Sequence, residues 1–464
     1  MNQSNAYLVE SIPEGMTFSQ EVEGVKYTKD VLTALTNKAQ KTIDLTAMYW
    51  ELFAQPASEG EPGFTEEQLR EMGADYGKAL FEALANAAKR GVKIRILQSP
   101  GFDKSGKKSE SAQLAEYDTV EIRQIDMRDW YDGGIMHQKF WVFDNQDIYL
   151  GSANMDWKSL TQVKELGIAL ENQREFAEEA TRYFDAWWRI AGMEPETEKV
   201  FDRVNGFERK VPAWSRLVPV EKRIPSPIEG DEFRTEYNIN NQMPLVLDGE
   251  KGNAFITGCP VEFCAPERTY DGDGLAYTIR EAKKSVCVSV MDFAPLSLYR
   301  GKRNKTTGKM EIEGKTATAA WWPMLFDALL HAAITNGVQV RLLISKWEHT
   351  SPVIEPFLRG LKETAAAGRA NYETACGSLD IRIFYVPGWN LTSGSNALYP
   401  DFTRVNHTKY IVTDKRLNVG TSNMTWDYFT NTAGTSFNSN HRGLVNKGRE
   451  IFDRDWDSEY AYRF

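Results

Sequence analysis

The sequence predicts an α/β protein of two fused lobes, each a mostly parallel sheet flanked by helices, related by a pseudo-twofold axis that brings two motifs together. Three observations carry this expectation. The pattern H-x-K-x4-D occurs at His137, Lys139 and Asp144 and returns at His407, Lys409 and Asp414. Each copy is followed by Gly, Ser or Thr, and Asn, in Gly151-Ser152-Ala153-Asn154 and Gly420-Thr421-Ser422-Asn423. At ordinary residue frequencies a chain this long carries on the order of 0.05 such patterns by accident. The strand-like and helix-like segments around the two copies also recur in the same order. Finally, 464 residues with 42% hydrophobic and 26% charged side chains suffice for two ordinary cores.

In chain order, residues 41–48 and 284–291 read as the first core strand of each half, apolar and β-branched. Residues 79–88 and 324–333 follow, helical by their spacing and their Ala and Leu content. Each passes through a Gly into a strand, 91–97 and 337–343, which match nearly position for position, as do 120–123 and 379–382. Strand, helix, strand is the signature of a parallel crossover. After each motif a further helix carries Phe184, Asp185 and Trp188, echoed by Phe452, Asp453 and Trp456. A repeat of over two hundred residues is far too long for a solenoid and means two domain-sized halves. The expected boundaries are 1–195 for the first lobe, 196–253 for a linker with short structured pieces, and 254–464 for the second lobe. Segments 55–66 and 300–315, rich in Gly, Lys, Glu and Thr, read as exposed loops at equivalent places.

A formal charge of −10 argues against a wholly basic nucleic-acid coat and leaves room for a local basic cleft. The N-terminal residues lack the basic start and apolar run of a secretory signal, so a cytoplasmic protein is the default expectation. Cys259, Cys264, Cys287 and Cys376 give no disulfide framework, and Cys259 with Cys264 lacks the neighbours of a metal pair. The sequence is compatible with a homodimer.

Chemistry follows from spacing. Residues two apart on a strand project to one face, so His137 points with Lys139, and His407 with Lys409. An imidazole beside an ammonium suits an anionic phosphorus centre. Two halves facing each other place two histidines, two lysines and the amides of Asn154 and Asn423 around one phosphate, which supplies a nucleophile, an acid and an oxyanion cradle. No metal or other cofactor is required. Of five histidines, these two alone recur with the same companions. His331, His349 and His441 read as structural. Asp144 and Asp414 are supporting members of the catalytic set, each as fit to tie the following turn as to touch substrate. Ser152, Thr421 and Ser422 join as substrate-binding hydroxyls. Tyr49 and Phe293, on the first strands, are candidate stacking surfaces.

Both motifs, in order and in duplicate, resemble the phospholipase D superfamily. Within it, residues 150–157 with 160–167, and 404–407 with 420–423 and 428–436, are most similar to the animal lysosomal phospholipase-D-like 5′-exonucleases and their poxvirus envelope relatives. The resemblance spans almost the whole chain, and implies two lobes with one active site between them and transfer through a phosphohistidine. It also implies a carboxylate on the nucleophilic imidazole. Glu165, twenty-eight residues after His137, stands where family members carry that acid, whereas the same offset from His407 reaches Thr435. The expectation is therefore His137 as nucleophile oriented by Glu165, with His407 as acid and then base. Unlike the animal members, the chain starts directly at the catalytic region and has no cysteine before Cys259, which does not support a lysosomal address. The leading functional expectation is a metal-independent phosphodiesterase, a 5′-exonuclease on single-stranded DNA or RNA. The alternatives are a phospholipase D or phosphatidyl transferase acting on a phospholipid, and a membrane-associated assembly protein with dispensable catalysis.

Overall fold

The computed structural model describes residues 4–57, 63–101, 108–372 and 377–464, so Cys376 and part of the expected 55–66 loop lie outside the described residues. Two lobes are present, each an α/β layer structure. The first holds an eight-stranded sheet in the order Lys26–Tyr27, Asn5–Ser11, Glu165–Glu171, Asp147–Gly151, Phe140–Phe143, Thr42–Ala47, Lys93–Gln98 and Val120–Gln124. The second holds nine strands: Met243–Leu247, Glu250–Cys259, Gly434–Ser439, Leu417–Gly420, Lys409–Thr413, Ser285–Val290, Gln339–Lys346, Leu379–Tyr385 and Ala461–Arg463. The second sheet thus begins at Met243, ahead of the expected boundary at 254. The expected linker carries its own hairpin, Thr197–Asp202 with Phe207–Pro212.

Mixed sheets replace the mostly parallel ones expected. Parallel pairing is concentrated in Thr42–Ala47, Lys93–Gln98 and Val120–Gln124, and in their counterparts Ser285–Val290, Gln339–Lys346 and Leu379–Tyr385. The motif strands pair antiparallel on both sides. The reason is local: Phe140–Phe143 returns to Asp147–Gly151 through a short turn with Asp144 and Asn145 both at positive φ, and so short a connection joins only antiparallel strands. The segment expected as a loop at 300–315 also differs. It folds into a three-stranded sheet, Lys302–Arg303, Met310–Ile312 and Lys315–Thr316, turned at Gly308 and Gly314, both at positive φ.

The lobes share a core. Leu150, Ile168 and Trp187 of the first pack in one cluster with Val419, Phe437 and Ile451 of the second, and Phe176 meets Phe437 with ring centroids 5.5 Å apart. Separate clusters fill the outer layer of each lobe, around Leu45 and Leu84 in the first and Val288 and Leu329 in the second. Buried charge crosses the seam too: Lys164 pairs with Asp455 at 2.6 Å, and Arg454 with Glu10 at 2.7 Å. Among the described residues no helix is long and apolar enough to cross a membrane.

Candidate active site

Two isolated parallel bridges, Met136 with Ala433 and Lys164 with Asn406, tie the lobes on either side of the pseudo-twofold axis. Each bridge sets the next residue. His137 N donates to Ala433 O at 3.2 Å and His407 N to Lys164 O at 2.8 Å, so both histidines enter the seam in equivalent settings. Their ring centroids are 6.4 Å apart, close enough for one phosphate to sit between them. Lys139 Nζ donates to His137 O (2.7 Å) and Lys409 Nζ to His407 O (2.6 Å), which ties each lysine to the backbone of its own histidine. Both histidines line a cleft of about 680 Å³, with Asn154 and Glu165.

The expected partner of Glu165 is overturned. Its carboxylate reaches across the seam to His407 Nδ1, at 2.9 and 3.0 Å, while His137 Nδ1 donates to the backbone carbonyl of Thr421 at 2.8 Å. Assigning Glu165 to the histidine of its own half failed because the bond crosses between lobes; separately, the second half has one residue fewer between Asp and Gly, which shifts the count to the counterpart of Glu165. Ser152 N donates to Leu166 O and Thr421 N to Thr435 O, so the counterpart of Glu165 is Gly434, not Thr435. A Cβ on Gly434 would lie 2.2 Å from Ser422 Oγ and 2.7 Å from Cys259 Sγ, leaving no room for a second carboxylate.

Two family models match the chain: one described as "Cardiolipin synthase, PLD-like domain" over residues 32–188, and one as "PLD3/4, PLD-like domain" over residues 204–389. A virion nicking-joining enzyme of Vaccinia virus is 32% identical over 100% of this chain and 90% of its own. The chain belongs to the phospholipase D superfamily. A probable phospholipase D of Caenorhabditis elegans is 33% identical over 98% of this chain and 70% of its own, and the rat 5'-3' exonuclease PLD3 is 32% identical over 98% and 80%. The fold resembles the crystal structure of a Haemophilus influenzae phosphatidylserine synthase, with a TM-score of 0.51 at 12% identity, covering 94% of this chain and 85% of that one. The protein is a phospholipase-D-superfamily phosphodiesterase.

In this phospholipase-D-like site, burial governs ionisation. It pushes the His137 pKa well below the usual value, helped by the Lys139 and Lys409 charges. His407 is lowered to about 4, again by burial, with Glu165 opposing. Burial lowers Lys409 to about 7 against the pull of Glu165 and Asp292, and burial with the Lys409 charge holds Lys139 well below its usual value against Glu165 and Asp156. A phosphodiester anion between the histidines counters those lowered values and favours the charged forms of the groups around it.

Other expected site residues separate. Asp144 lies away from the cleft and accepts from the backbone N–H groups of Gln40, Lys41 and Thr42; Asp414 does the same for Lys283, Lys284 and Ser285. Both fasten the start of a first strand to the motif turn, which is a structural task. The hydroxyls of Ser152 and Thr421 are buried in mutual bonds with the main chain at Leu166 and Thr435 rather than set on the cleft wall. Ser422 is buried against Gly434. Tyr49 does line the cleft, its hydroxyl on Asp156. Phe293 does not: it is 1% exposed and stacks on Phe326 at 5.0 Å, a core residue.

Residues not expected also line the cleft or stand behind it. Asp292 occupies the position equivalent to Tyr49, and burial pushes its carboxyl up to about 6; it receives Tyr299 Oη at 3.3 Å and Asn423 Nδ2 at 3.4 Å. Tyr428 meets the His137 ring at 5.0 Å. His349, expected to be structural, stands at the cleft mouth with Trp347 and Phe402. The place of Trp347 and His349 just past the C-terminal end of Gln339–Lys346 is the signal that could have found those two, since sites in such sheets gather there. His441 keeps the structural role, its Nε2 donating to Glu250 O at 3.1 Å.

Proposed function

We propose that this phosphodiesterase is a metal-independent 5′-directed exonuclease acting on single-stranded DNA or RNA through a phosphohistidine. The observation that carries the nucleic-acid reading is that the cleft is not blind. It opens into a second groove through shared walls at Arg128, Gly133, Gly301, Lys302 and Arg303, and Lys199 and Lys210 continue that groove. Arg128 and Lys199 are paired there with Asp126 and Glu313, and Asp129, Asp132 and Glu311 also line the groove, so it is Lys302 and Arg303, on the wall shared with the cleft, that suit a chain of phosphates. Relatives named as an exonuclease and a nicking-joining enzyme support the substrate class, and the former supports the polarity.

In the reaction, His407 Nε2 attacks phosphorus as the bond to the leaving oxygen breaks, and His137 gives that oxygen a proton. Water then attacks phosphorus, losing its proton to His137, and His407 is released. His407 takes the nucleophilic role because a phosphorylated imidazole is cationic, and Glu165 at 2.9 Å neutralises it as a backbone carbonyl cannot. Lys139, Lys409, Asn154 and Asn423 hold the phosphoryl oxygens.

The test is turnover in chelator of 5′-labelled single-stranded oligonucleotides, closed circular single strands and, separately, phosphatidylglycerol. Stepwise release from the labelled end with the circle untouched is expected. Nicking of the circle would overturn the exonuclease, turnover of lipid alone would overturn the nuclease, and loss of activity restored by a divalent ion would overturn metal independence.

A further inference from the structure

On the second-lobe rim of the cleft stands a group of rings that the phosphoryl chemistry does not use. His349 stacks on Phe402, with centroids 4.7 Å apart and 22° between planes, and meets Trp347 edge-on at 4.8 Å. All three line the cleft that holds the two catalytic histidines. Phe402 is 56% exposed, and exposure alone is unremarkable for one apolar residue. Its backbone is not. Phe402 has φ of 58° and Arg404 of 56°, a region that bulky side chains avoid and that persists only where surroundings impose it.

Those surroundings are visible. Asp401 Oδ1 accepts from both Phe402 N and His349 Nε2 at 2.7 Å, fixing the turn and the imidazole plane together. Thr403 Oγ1 donates to Pro400 O. Arg404, 1% exposed, donates to Pro387 O at 2.7 Å and across the seam to Glu14 O at 2.9 Å. A strained turn anchored by a buried arginine therefore fixes an aromatic face at the rim, five residues before His407.

We infer that Trp347, His349 and Phe402 form a stacking subsite for a nucleobase beside the scissile phosphate. The inference rests on the nuclease reading of the same cleft. A base offers a flat π face whatever its sequence, and a rigid, oriented ring is what such a face needs; an acyl chain gains nothing from fixed ring planes. The subsite would hold the nucleotide in register while the two histidines act, without selecting which base it is.

The experiment compares kcat/KM for a single-stranded oligonucleotide with that for the same oligonucleotide carrying tetrahydrofuran abasic residues at its two 5′-terminal positions. The wild type is expected to favour the base-bearing strand on the order of 10-fold. Phe402→Ala and, as a second variant on an exposed loop, His349→Ala reduce that preference to below about twofold, and Phe402→Tyr keeps it. Equal treatment of both strands by the wild type, or a preference that survives both alanine variants, overturns the subsite. Cleavage of neither strand by the wild type sinks the nuclease reading itself, and the subsite with it.

Discussion

At the scale of single residues the site turns on which imidazole the Glu165 carboxylate serves. Glu165 was legible in the sequence as an acid near a catalytic histidine. Its true partner was not, because the bond crosses between lobes. With a substrate bearing an activated leaving group, His137→Ala should still form the covalent adduct and His407→Ala should form none. Mass spectrometry of acid-quenched enzyme checks this, and an adduct on His137 would reverse the roles. The same substrate needs no proton from His137, so its kcat/KM profile reports the other groups of the free enzyme. Activity should fall below about pH 4, where His407 takes a proton and loses its lone pair, and above about pH 7, where Lys409 loses the charge that grips phosphate. Glu165→Gln removes the charge that favours protonated His407. The acid limb should therefore move to lower pH while the maximal rate falls about 10- to 100-fold; a limb that moves up would contradict the pairing.

At the scale of elements, what repeats was readable and what closes a strand pair was not. The strand, helix, strand order of 41–97 and 284–343 was plain from apolar period and Gly punctuation, whereas antiparallel return depends on backbone angles at Asp144 and Asn145. Those turns also explain the motif aspartates. Each conserves the docking of a strand onto the motif hairpin by accepting from three successive N–H groups. Asp414 accordingly has its pKa lowered: burial raises it and the backbone donors more than offset that. Its contribution to stability is therefore present above the unfolded carboxyl pKa and lost as pH falls through the lower folded value. Asp414→Ala or Asp144→Ala should cost about 1–2 kcal/mol in urea unfolding, since water can reach part of each site, and leave kcat within about threefold. A collapse of kcat in folded protein would return these residues to the catalytic set.

At the scale of the whole molecule the duplication announced the pseudo-twofold axis, but sequence could not announce how completely the seam is fused. Charges such as Lys164 and Asp455, each fully buried, have no local pattern to betray them. Lys164→Met should destabilise by about 3 kcal/mol, because among the described residues Asp455 then keeps Arg454, at 2.9 Å, as its one ion-pair partner in a dry setting. Thermal unfolding should remain a single transition, reflecting the shared core; separate melting of the lobes would show that the seam is weaker than its packing implies. The crossed bond from Glu165 to His407 has one more consequence, for the chain as it is made. A ribosome that has completed the first lobe has made His137 and Glu165 but not His407, and the second lobe alone holds His407 without its carboxylate. The site is therefore complete only once both lobes have been made and joined, because each lobe holds one half of that bonded pair.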